Sequence, residues 1–224
     1  MTTVLITGAN RGLGLEFTRQ YKAAGATVIA TCRNPATAQS LNTLGVEVLT
    51  LDVADSASIA ALAATLQGTT IDILISNAGI WGPQRQSAND CPPEAMAEVF
   101  TVNTIAPLMI ARALKPNLIA GQDKKLIVLT SKMGSISDSS GGVVAYRASK
   151  AALNIVMHGL AKDWARDGIL VGVLHPGWVK TDMGGPGAPL NAIESVTGLR
   201  ARIAELNPAT SGRFIAFDGQ EIGW

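Results

Sequence analysis

Short apolar, β-branched runs alternate with longer Ala- and Leu-rich stretches along this chain, and this alternation restricts the fold most. The runs are almost continuously hydrophobic, which is typical of parallel strands that are covered on both faces. Strands that alternate with helices form right-handed βαβ units within one sheet. The pattern therefore predicts an α/β fold: a doubly wound parallel β-sheet of about seven strands with helices on both faces.

The predicted elements have these boundaries. The strands are Thr3–Thr7, Thr27–Thr31, Val46–Thr50, Ile71–Ser76, Lys125–Thr130, Ile169–Leu174 and Arg213–Phe217. The helices are Leu13–Ala24, Pro35–Thr43, Ser56–Leu66, Glu94–Ile119 and Tyr146–Asp167. Pro107 predicts a bend or a local break in the fourth of these helices. Ser135–Gly142 and Met183–Leu190 are rich in small or turn-forming residues, and we expect mobile loops there.

Length and composition limit the class of protein. The 224 residues contain no low-complexity linker, so we predict a single domain over residues 1–224. A hydrophobic fraction of 47% and a charged fraction of 16% exclude a disordered chain. The formal net charge of +1 argues against a nucleic-acid partner.

No apolar run reaches the roughly 18 residues of a membrane span, and the first residues do not resemble a signal peptide. The two cysteines, Cys32 and Cys91, are interpreted as free thiols of a reducing compartment rather than as a disulfide. Together these features predict a cytoplasmic protein.

The segment between the first strand and the first helix carries three glycines, Gly8, Gly12 and Gly14. Glycines allow a tight turn and a close approach to a pyrophosphate, and the helix N-terminus supplies free N–H groups. A plain turn is the alternative interpretation of three glycines. Their position directly after the first strand favours a dinucleotide site.

The end of the second strand indicates which dinucleotide binds. A site that selects NAD usually has a carboxylate there to hold the ribose 2′-hydroxyl, whereas this strand is followed by Arg33. Arg11 supplies a second cation from the glycine loop, and a guanidinium can bind a 2′-phosphate through charge-assisted hydrogen bonds. We therefore predict NADP(H), with two solvated surface arginines as the alternative.

Five further motifs follow in order along the chain. They are Ser76–Gly79, Asn103, Thr130–Ser131, Tyr146–Lys150 and His175–Thr181. Together with the glycine loop, this ordered set resembles the short-chain dehydrogenase/reductase family over essentially the whole chain. The C-terminal segment from Ser211 to Trp224 is similar to the branch that contains C-factor and carbonyl reductases. The resemblance implies a Rossmann-type fold and homo-oligomers.

Tyr146 and Lys150 are four residues apart, so they share one face of a helix. A free tyrosine has a pKa near 10, whereas a general acid works best near the operating pH. A nearby ammonium and the nicotinamide of the oxidised cofactor can lower the tyrosine pKa. We expect Tyr146 to protonate a substrate carbonyl; an ordinary surface pair is the alternative.

Two further residues complete the predicted catalytic set. Ser131 follows the fifth strand and is expected to donate a hydrogen bond to the same carbonyl oxygen, with Ser135 as the alternative. Lys150 is expected to hold the nicotinamide ribose hydroxyls. The resemblance implies that Asn103 positions a water that connects Lys150 to solvent.

The resemblance also implies which residues contact the cofactor. Asp52 would meet the adenine ring, and the segment that begins at Pro176 would hold the nicotinamide carboxamide. The implied contacts are Gly8, Asn10, Arg11, Gly12, Leu13, Gly14, Arg33, Asp52, Val53, Asn77, Ala78, Gly79, Tyr146, Lys150, Pro176, Gly177, Val179 and Thr181. His158 and His175 are interpreted as structural, and no cluster has the spacing of metal ligands.

The region Asp182–Leu199 is expected to form a short, mobile cover over an open substrate pocket. Trp81, Trp178, Met133 and Met183 are candidates to line that pocket, with core packing as the alternative for each.

The predicted function is NADPH-dependent reduction of a small or medium-sized ketone or aldehyde. A signalling protein of the C-factor type that binds NADP(H) is the alternative. The apolar surfaces of Ser149–Arg166 and Glu94–Ile119 are the expected contacts of a homodimer or homotetramer.

Overall fold

The computed structural model describes residues 1–224, and its sheet consists of seven parallel strands. The strands are β1 (Thr3–Ile6), β2 (Thr27–Cys32), β3 (Glu47–Thr50), β4 (Ile73–Ser76), β5 (Lys125–Leu129), β6 (Leu170–His175) and β7 (Phe214–Ala216). Their spatial order is β3-β2-β1-β4-β5-β6-β7, so the order of the strands reverses between β1 and β4. The predicted doubly wound, Rossmann-type sheet is confirmed.

Eight α-helices cover the two faces of the sheet. They are α1 (Gly12–Ala23), α2 (Gln39–Asn42), α3 (Ser56–Thr65), α4 (Pro93–Phe100), α5 (Ala106–Ala113), α6 (Lys115–Ala120), α7 (Val144–Asp163) and α8 (Ala192–Glu205). None of them combines the length and the apolarity that a membrane crossing requires.

Successive side chains of a strand point to opposite faces, which produces two separate cores. In β5, Leu126 and Val128 pack with apolar residues of α7, including Leu153. Ile127 and Leu129 pack on the other face, with residues of α1 and α8. This double burial is the reason why the strands are hydrophobic at nearly every position.

The stretch Glu94–Ile119, predicted as one helix with a bend or a local break at Pro107, forms three helices. A wider π-helical turn, Thr101–Ile105, joins α4 to α5, and a second break at Leu114 precedes α6. Pro107 lacks an N–H, and its ring crowds the carbonyl of Asn103 four residues earlier. A widened turn at that point accommodates the ring, so the proline changes the helix where Asn103 lies.

Two other predicted helices differ in detail. Pro35–Thr43 divides into a 3₁₀ turn, Pro35–Thr37, and the short α2. The helix that carries Tyr146 begins two residues earlier than predicted, at Val144.

Helix α8 is absent from the sequence-based prediction, which assigns its first half to the mobile cover. Val196, Leu199 and Ile203 follow helical spacing and are buried against α1. The cover predicted at Asp182–Leu199 is therefore wrong in its second half, which belongs to a packed helix. Only the part up to Asn191, the residue that caps α8, is irregular.

Candidate active site

The site is built where the carboxyl ends of β1, β4, β5 and β6 meet at one edge of the sheet. Thr7, directly after β1, connects the ends of β1 and β4 through hydrogen bonds. Its N–H donates to the Ile75 carbonyl at 3.0 Å. Its hydroxyl oxygen accepts from the N–H groups of Asn77 and Ala78, each at 3.1 Å.

The glycine loop is folded tightly against the end of β4. Gly8 and Gly12 have φ of 64° and 53°, in the left-handed region that favours glycine. A Cβ at Gly14 would collide with the Gly8 carbonyl and the Asn77 side chain. The Asn77 amide donates to the carbonyls of Thr7 and Gly8 at 2.9 and 3.0 Å, so it holds the loop in place.

The tip of this loop contains Asn10 and Arg11, which are exposed, and Leu13, which is half-buried. The Arg11 guanidinium forms an ion pair with Asp182 at 2.8 Å, a partner on the segment after β6. Arg33 is exposed at the end of β2 and has no carboxylate partner. Of the two arginines predicted to bind the 2′-phosphate, only Arg33 therefore has no ion-pair partner within the protein.

Asp52 and Val53 follow β3 at the same edge of the sheet. One oxygen of Asp52, Oδ1, accepts from the Ala54 N–H at 3.0 Å, and its own N–H donates to the Ser58 hydroxyl. The other carboxylate oxygen accepts no hydrogen bond within the protein. Val53 packs against the core on the α7 side of the sheet.

Tyr146 and Lys150 lie one turn apart on α7, and both are buried. The Lys150 ammonium lies 5.8 Å from the centre of the Tyr146 ring. It donates a hydrogen bond to the Leu129 carbonyl at the end of β5, at 2.9 Å. The helix thus presents a phenol and an amine to the edge where the strands end.

Burial determines the electrostatics of this pair. It raises the pKa of Tyr146 to about 12, while a hydrogen bond with Ser131 acts in the opposite direction. Burial also lowers the pKa of Lys150 to about 8. The predicted lowering of the tyrosine pKa is therefore not found in the protein alone, because removal of the phenol from water disfavours phenolate more than Ser131 stabilises it.

Two serines of one loop have different environments. Ser131, directly after β5, accepts from the Met133 N–H at 3.2 Å, and its hydroxyl lowers the pKa of Tyr146, against the larger effect of burial. The Ser135 hydroxyl donates to the Gly223 carbonyl at 2.6 Å. Of the two, only Ser131 influences the pKa of the Tyr146 phenol.

Asn103 lies in the π-helical turn and is completely buried. Its Oδ1 accepts from the Ile80 N–H, and its Nδ2 donates to the Ile80 carbonyl, both at 2.9 Å. Nδ2 also donates to the Ser149 hydroxyl at 3.1 Å. The side chain thereby fixes the backbone after Gly79, whose Cβ position would be 3.8 Å from the Lys150 ammonium.

The segment after β6 faces the glycine loop. The Pro176 carbonyl accepts from the Ser195 hydroxyl at 2.6 Å, and Gly177 adopts φ of 84°. A Cβ at Gly12 would be 3.4 Å from the Thr181 methyl group. Thr181 thus borders the cleft in front of α1.

The residues predicted to line the substrate pocket lie at different depths. The Trp81 ring packs against Tyr146, with ring centres 4.7 Å apart. Trp178 and Met183 are 60% and 47% exposed, and Met133 is half-buried. Val179, which lies between Trp178 and Met183 in the sequence, is buried and forms an isolated β-bridge with Leu190. This bridge joins the two ends of the irregular segment 179–190.

Comparison with known proteins identifies the family. The family model for short chain dehydrogenase matches residues 2–189. The chain belongs to the short-chain dehydrogenase family. The fold and the ordered motifs of this short-chain dehydrogenase agree with that membership, and it is an oxidoreductase of that family.

Individual relatives indicate which branch of the family this short-chain dehydrogenase resembles. It is 43% identical to the C-signal protein of Myxococcus xanthus over 155 residues, which is 69% of this chain and 93% of the relative. It is 34% identical to 1-hydroxy-2-glutathionyl-2-methyl-3-butene dehydrogenase of Rhodococcus sp., with full coverage of both chains. The structure of an NADPH-bound carbonyl reductase from chicken fatty liver matches with a TM-score of 0.94 and 36% identity, covering 100% and 99% of the chains. The predicted C-factor and carbonyl-reductase-like placement is confirmed.

The two histidines of this short-chain dehydrogenase are held by structural contacts or by burial. His158 contacts the Gly212 carbonyl through Nδ1 at 3.1 Å and packs edge-on against Trp224. Burial lowers the pKa of His175 to about 4, so it is neutral near pH 7. No group of three potential metal ligands is found in the structure.

Several buried polar residues around the site have no local sequence pattern that predicts them. Gln86 bonds to the backbone of Tyr146. Asn154 of α7 accepts from the Thr130 hydroxyl at 2.6 Å. The Thr104 hydroxyl donates to the Ser149 carbonyl at 2.8 Å. Each joins segments that are distant in the sequence, and only the folded chain brings them together.

Proposed function

We propose that this short-chain dehydrogenase is an NADPH-dependent carbonyl reductase that acts on a small or medium-sized ketone or aldehyde. The observation that carries the proposal is the buried group of Tyr146, Ser131 and Lys150 at the strand ends, beside the glycine loop. The similarity to an NADPH-bound carbonyl reductase supports both the cofactor and the type of reaction.

The residues at the strand ends fit a dinucleotide phosphate. The α1 N-terminus has no side-chain cap, so its first N–H groups can bind the pyrophosphate. The unpaired Arg33 can bind a 2′-phosphate, and the free oxygen of Asp52 can accept from adenine. When bound, NADPH supplies the hydride that reduces the carbonyl carbon.

The remaining cofactor contacts follow the family pattern. Lys150 would hold the ribose hydroxyls, and the backbone of Asn77–Gly79 would lie against the adenosine ribose. Pro176, Gly177 and Thr181 would hold the carboxamide. Asn103 would position the water that connects Lys150 to solvent.

The protein's own residues supply the proton chemistry. With its pKa raised to about 12, the Tyr146 phenol is protonated at neutral pH, and it becomes a stronger acid when positive charge that stabilises phenolate is brought beside it. Ser131 donates a hydrogen bond to the carbonyl oxygen, on which negative charge develops. The Lys150 ammonium stabilises the phenolate that remains after the proton has left.

The test is loss of NADPH absorbance with a panel of ketones and aldehydes, using purified wild-type protein and Tyr146→Phe. We expect turnover of at least one carbonyl compound by the wild type. Removal of the phenol should reduce turnover by about 10²- to 10⁴-fold, the usual contribution of a general acid, without weakening NADPH binding. Equal rates for both proteins would contradict the proposal.

A second candidate function comes from the 43% identity to the C-signal protein. In that case the chain binds NADP(H) as a signalling protein of the C-factor type. The same experiment separates the two functions, because NADPH binding without turnover of any carbonyl compound would favour signalling.

We further propose a homo-oligomer of this single-domain chain, located in the cytoplasm in keeping with its two free cysteines. Ile105 and Met109 near α5 and Ile155 on α7 are exposed apolar side chains. The space around Gly159 is open. Light scattering at micromolar concentration should detect a dimer or a tetramer, and a monomer would contradict this assembly.

A further inference from the structure

The side chain of Gln86 connects the loop that carries Trp81 to the first turn of α7. Gln86 is 4% exposed. Its Nε2 donates to the carbonyls of Trp81 and Pro83 at 2.9 and 2.7 Å, and its Oε1 accepts from the Tyr146 N–H at 3.0 Å. Its backbone carbonyl accepts from the Val144 N–H at 2.8 Å.

Helix α7 lacks the usual means of satisfying its first N–H groups. The first four N–H groups of an α-helix have no partner within the helix and are often capped by a polar side chain. The residue before α7 is Val143, which has a left-handed φ of 49° and no side-chain oxygen. Gln86, from a different segment, supplies acceptors for Val144 and Tyr146 instead.

The same amide also determines the position of the aromatic ring next to the phenol. Trp81 is held through its carbonyl by Gln86, and its ring packs against Tyr146 with ring centres 4.7 Å apart. Trp81 and Gln86 border an open cavity of about 330 Å³ beside the start of α7. The loop and the helix are therefore fixed relative to each other by one buried side chain.

We propose that Gln86 is a positioning residue for the reduction. It fixes the Tyr146 phenol relative to the bound carbonyl by holding the first turn of α7 and the Trp81 loop together. It acts through these two residues. This inference rests on the proposed function, because it assigns Gln86 a part in the same reaction.

Two substitutions separate the two halves of the connection. Gln86→Met retains the approximate size and removes all three side-chain hydrogen bonds. We expect kcat to fall about 10- to 100-fold, since small displacements of a reacting group have effects of this size, and KM for the carbonyl to rise. Kd for NADPH should not change.

Gln86→Glu retains the acceptor for the Tyr146 N–H but, when ionised, cannot donate to the loop carbonyls. We expect a higher KM with kcat close to wild type, and KM should improve as the pH is lowered and the carboxyl regains a donor. If Gln86→Met has the kcat and KM of the wild type, the proposal is wrong.

Asn117→Leu is the matched control for lost stability. Asn117 is a buried amide that donates to the carbonyls of Leu66 and Thr69 at 2.6 and 2.8 Å, beside the amino end of β4. We expect it to lower the free energy of unfolding without changing kcat or KM of the folded protein. A fall in kcat as large as that of Gln86→Met would show that stability alone explains the effect and would overturn the proposal.

Hydrogen exchange provides a readout that does not require turnover. The amide of Tyr146 should exchange faster in Gln86→Met than in wild type, whereas it should remain protected in Gln86→Glu. Unchanged protection in Gln86→Met would overturn the proposal. Absence of turnover by the wild type, in contrast, would contradict the proposed function itself.

Discussion

The Lys150 ammonium lies 5.8 Å from the centre of the Tyr146 ring, and burial shifts the pKa values of the two groups in opposite directions. The amine loses affinity for its proton while the phenol holds its proton more firmly. The phenol is therefore protonated at neutral pH, and the amine is the nearest cation that can stabilise the phenolate once a proton has been donated.

Lys150 should make the stability of the cofactor-free protein depend on pH. Its pKa is about 8 in the folded protein, below the ordinary 10.5, so between these values the unfolded chain binds more protons. The free energy of unfolding should therefore rise with pH from about 8 to 10, by at most roughly 3 kcal/mol. Tyr146 acts in the opposite direction only at higher pH, because its pKa is raised from 10.0.

Urea unfolding of the wild type and of Lys150→Met over this pH range checks the prediction. The difference between the two proteins isolates the contribution of Lys150 from all other titrating groups. The rise should be absent from the variant. A difference that stays constant from pH 8 to 10 would show that the lysine pKa is not lowered.

Ser131→Ala and Ser135→Ala should have unequal effects on turnover. Of the two serines, only Ser131 acts on the pKa of Tyr146, whereas the Ser135 hydroxyl donates to the Gly223 carbonyl. We expect kcat to fall about 10²-fold or more in Ser131→Ala, as when a donor to a developing oxyanion is removed. Ser135→Ala should retain kcat within a small factor. Steady-state kinetics test this, and the reverse order would move the role to Ser135.

Arg33→Asp should remove the preference for NADPH over NADH. The exposed guanidinium has no carboxylate partner and is free to bind a 2′-phosphate, which the substituted carboxylate would repel. We expect the ratio of kcat/KM for the two cofactors to fall about 10- to 100-fold. Arg166→Asp makes the same charge change at an exposed position before β6 and should leave the ratio unchanged. An unaltered ratio in Arg33→Asp would refute the assignment.

Asn191→Ala should destabilise the protein without impairing catalysis. Asn191 and Glu194 form a capping box at the start of α8, with hydrogen bonds of 2.9 and 3.1 Å. Loss of such a cap costs about 1 kcal/mol. Urea unfolding should show this loss, and Glu194→Ala combined with Asn191→Ala should cost less than the sum of the single changes. Full additivity would mean that the two residues act independently.

Much of the fold is predictable from local patterns. The apolar runs mark all seven strands to within two residues, because burial on both faces demands hydrophobic residues at consecutive positions. Helix α8 also has sequence features that indicate a helix, namely the Asn191–Glu194 capping box and the helical spacing of Val196, Leu199 and Ile203. The glycines and prolines of the segment before it predict irregular structure, and that prediction extends over the first half of the helix.

The catalytic candidates are also visible in the sequence, because the carboxyl ends of parallel strands meet at one edge. Tyr146 and Lys150 share a helix face through their spacing alone, and Ser131 is placed by the end of β5. The pKa values of Tyr146 and Lys150, in contrast, depend on how deeply the folded chain buries them. The neighbouring ammonium and the nicotinamide of the oxidised cofactor predict a lowered tyrosine pKa, whereas burial in the protein alone raises it.

By itself, the sequence determined the order of the strands, the family and the residues that reach the strand ends, since these depend on neighbours a few positions apart. Only the tertiary structure decided that Arg11 pairs with Asp182 and that Gln86 holds Tyr146, contacts that span 171 and 60 residues. It also decided the burial of the phenol and the amine. Such long-range contacts and the exclusion of water arise from packing between segments, and no periodic pattern along the chain encodes them.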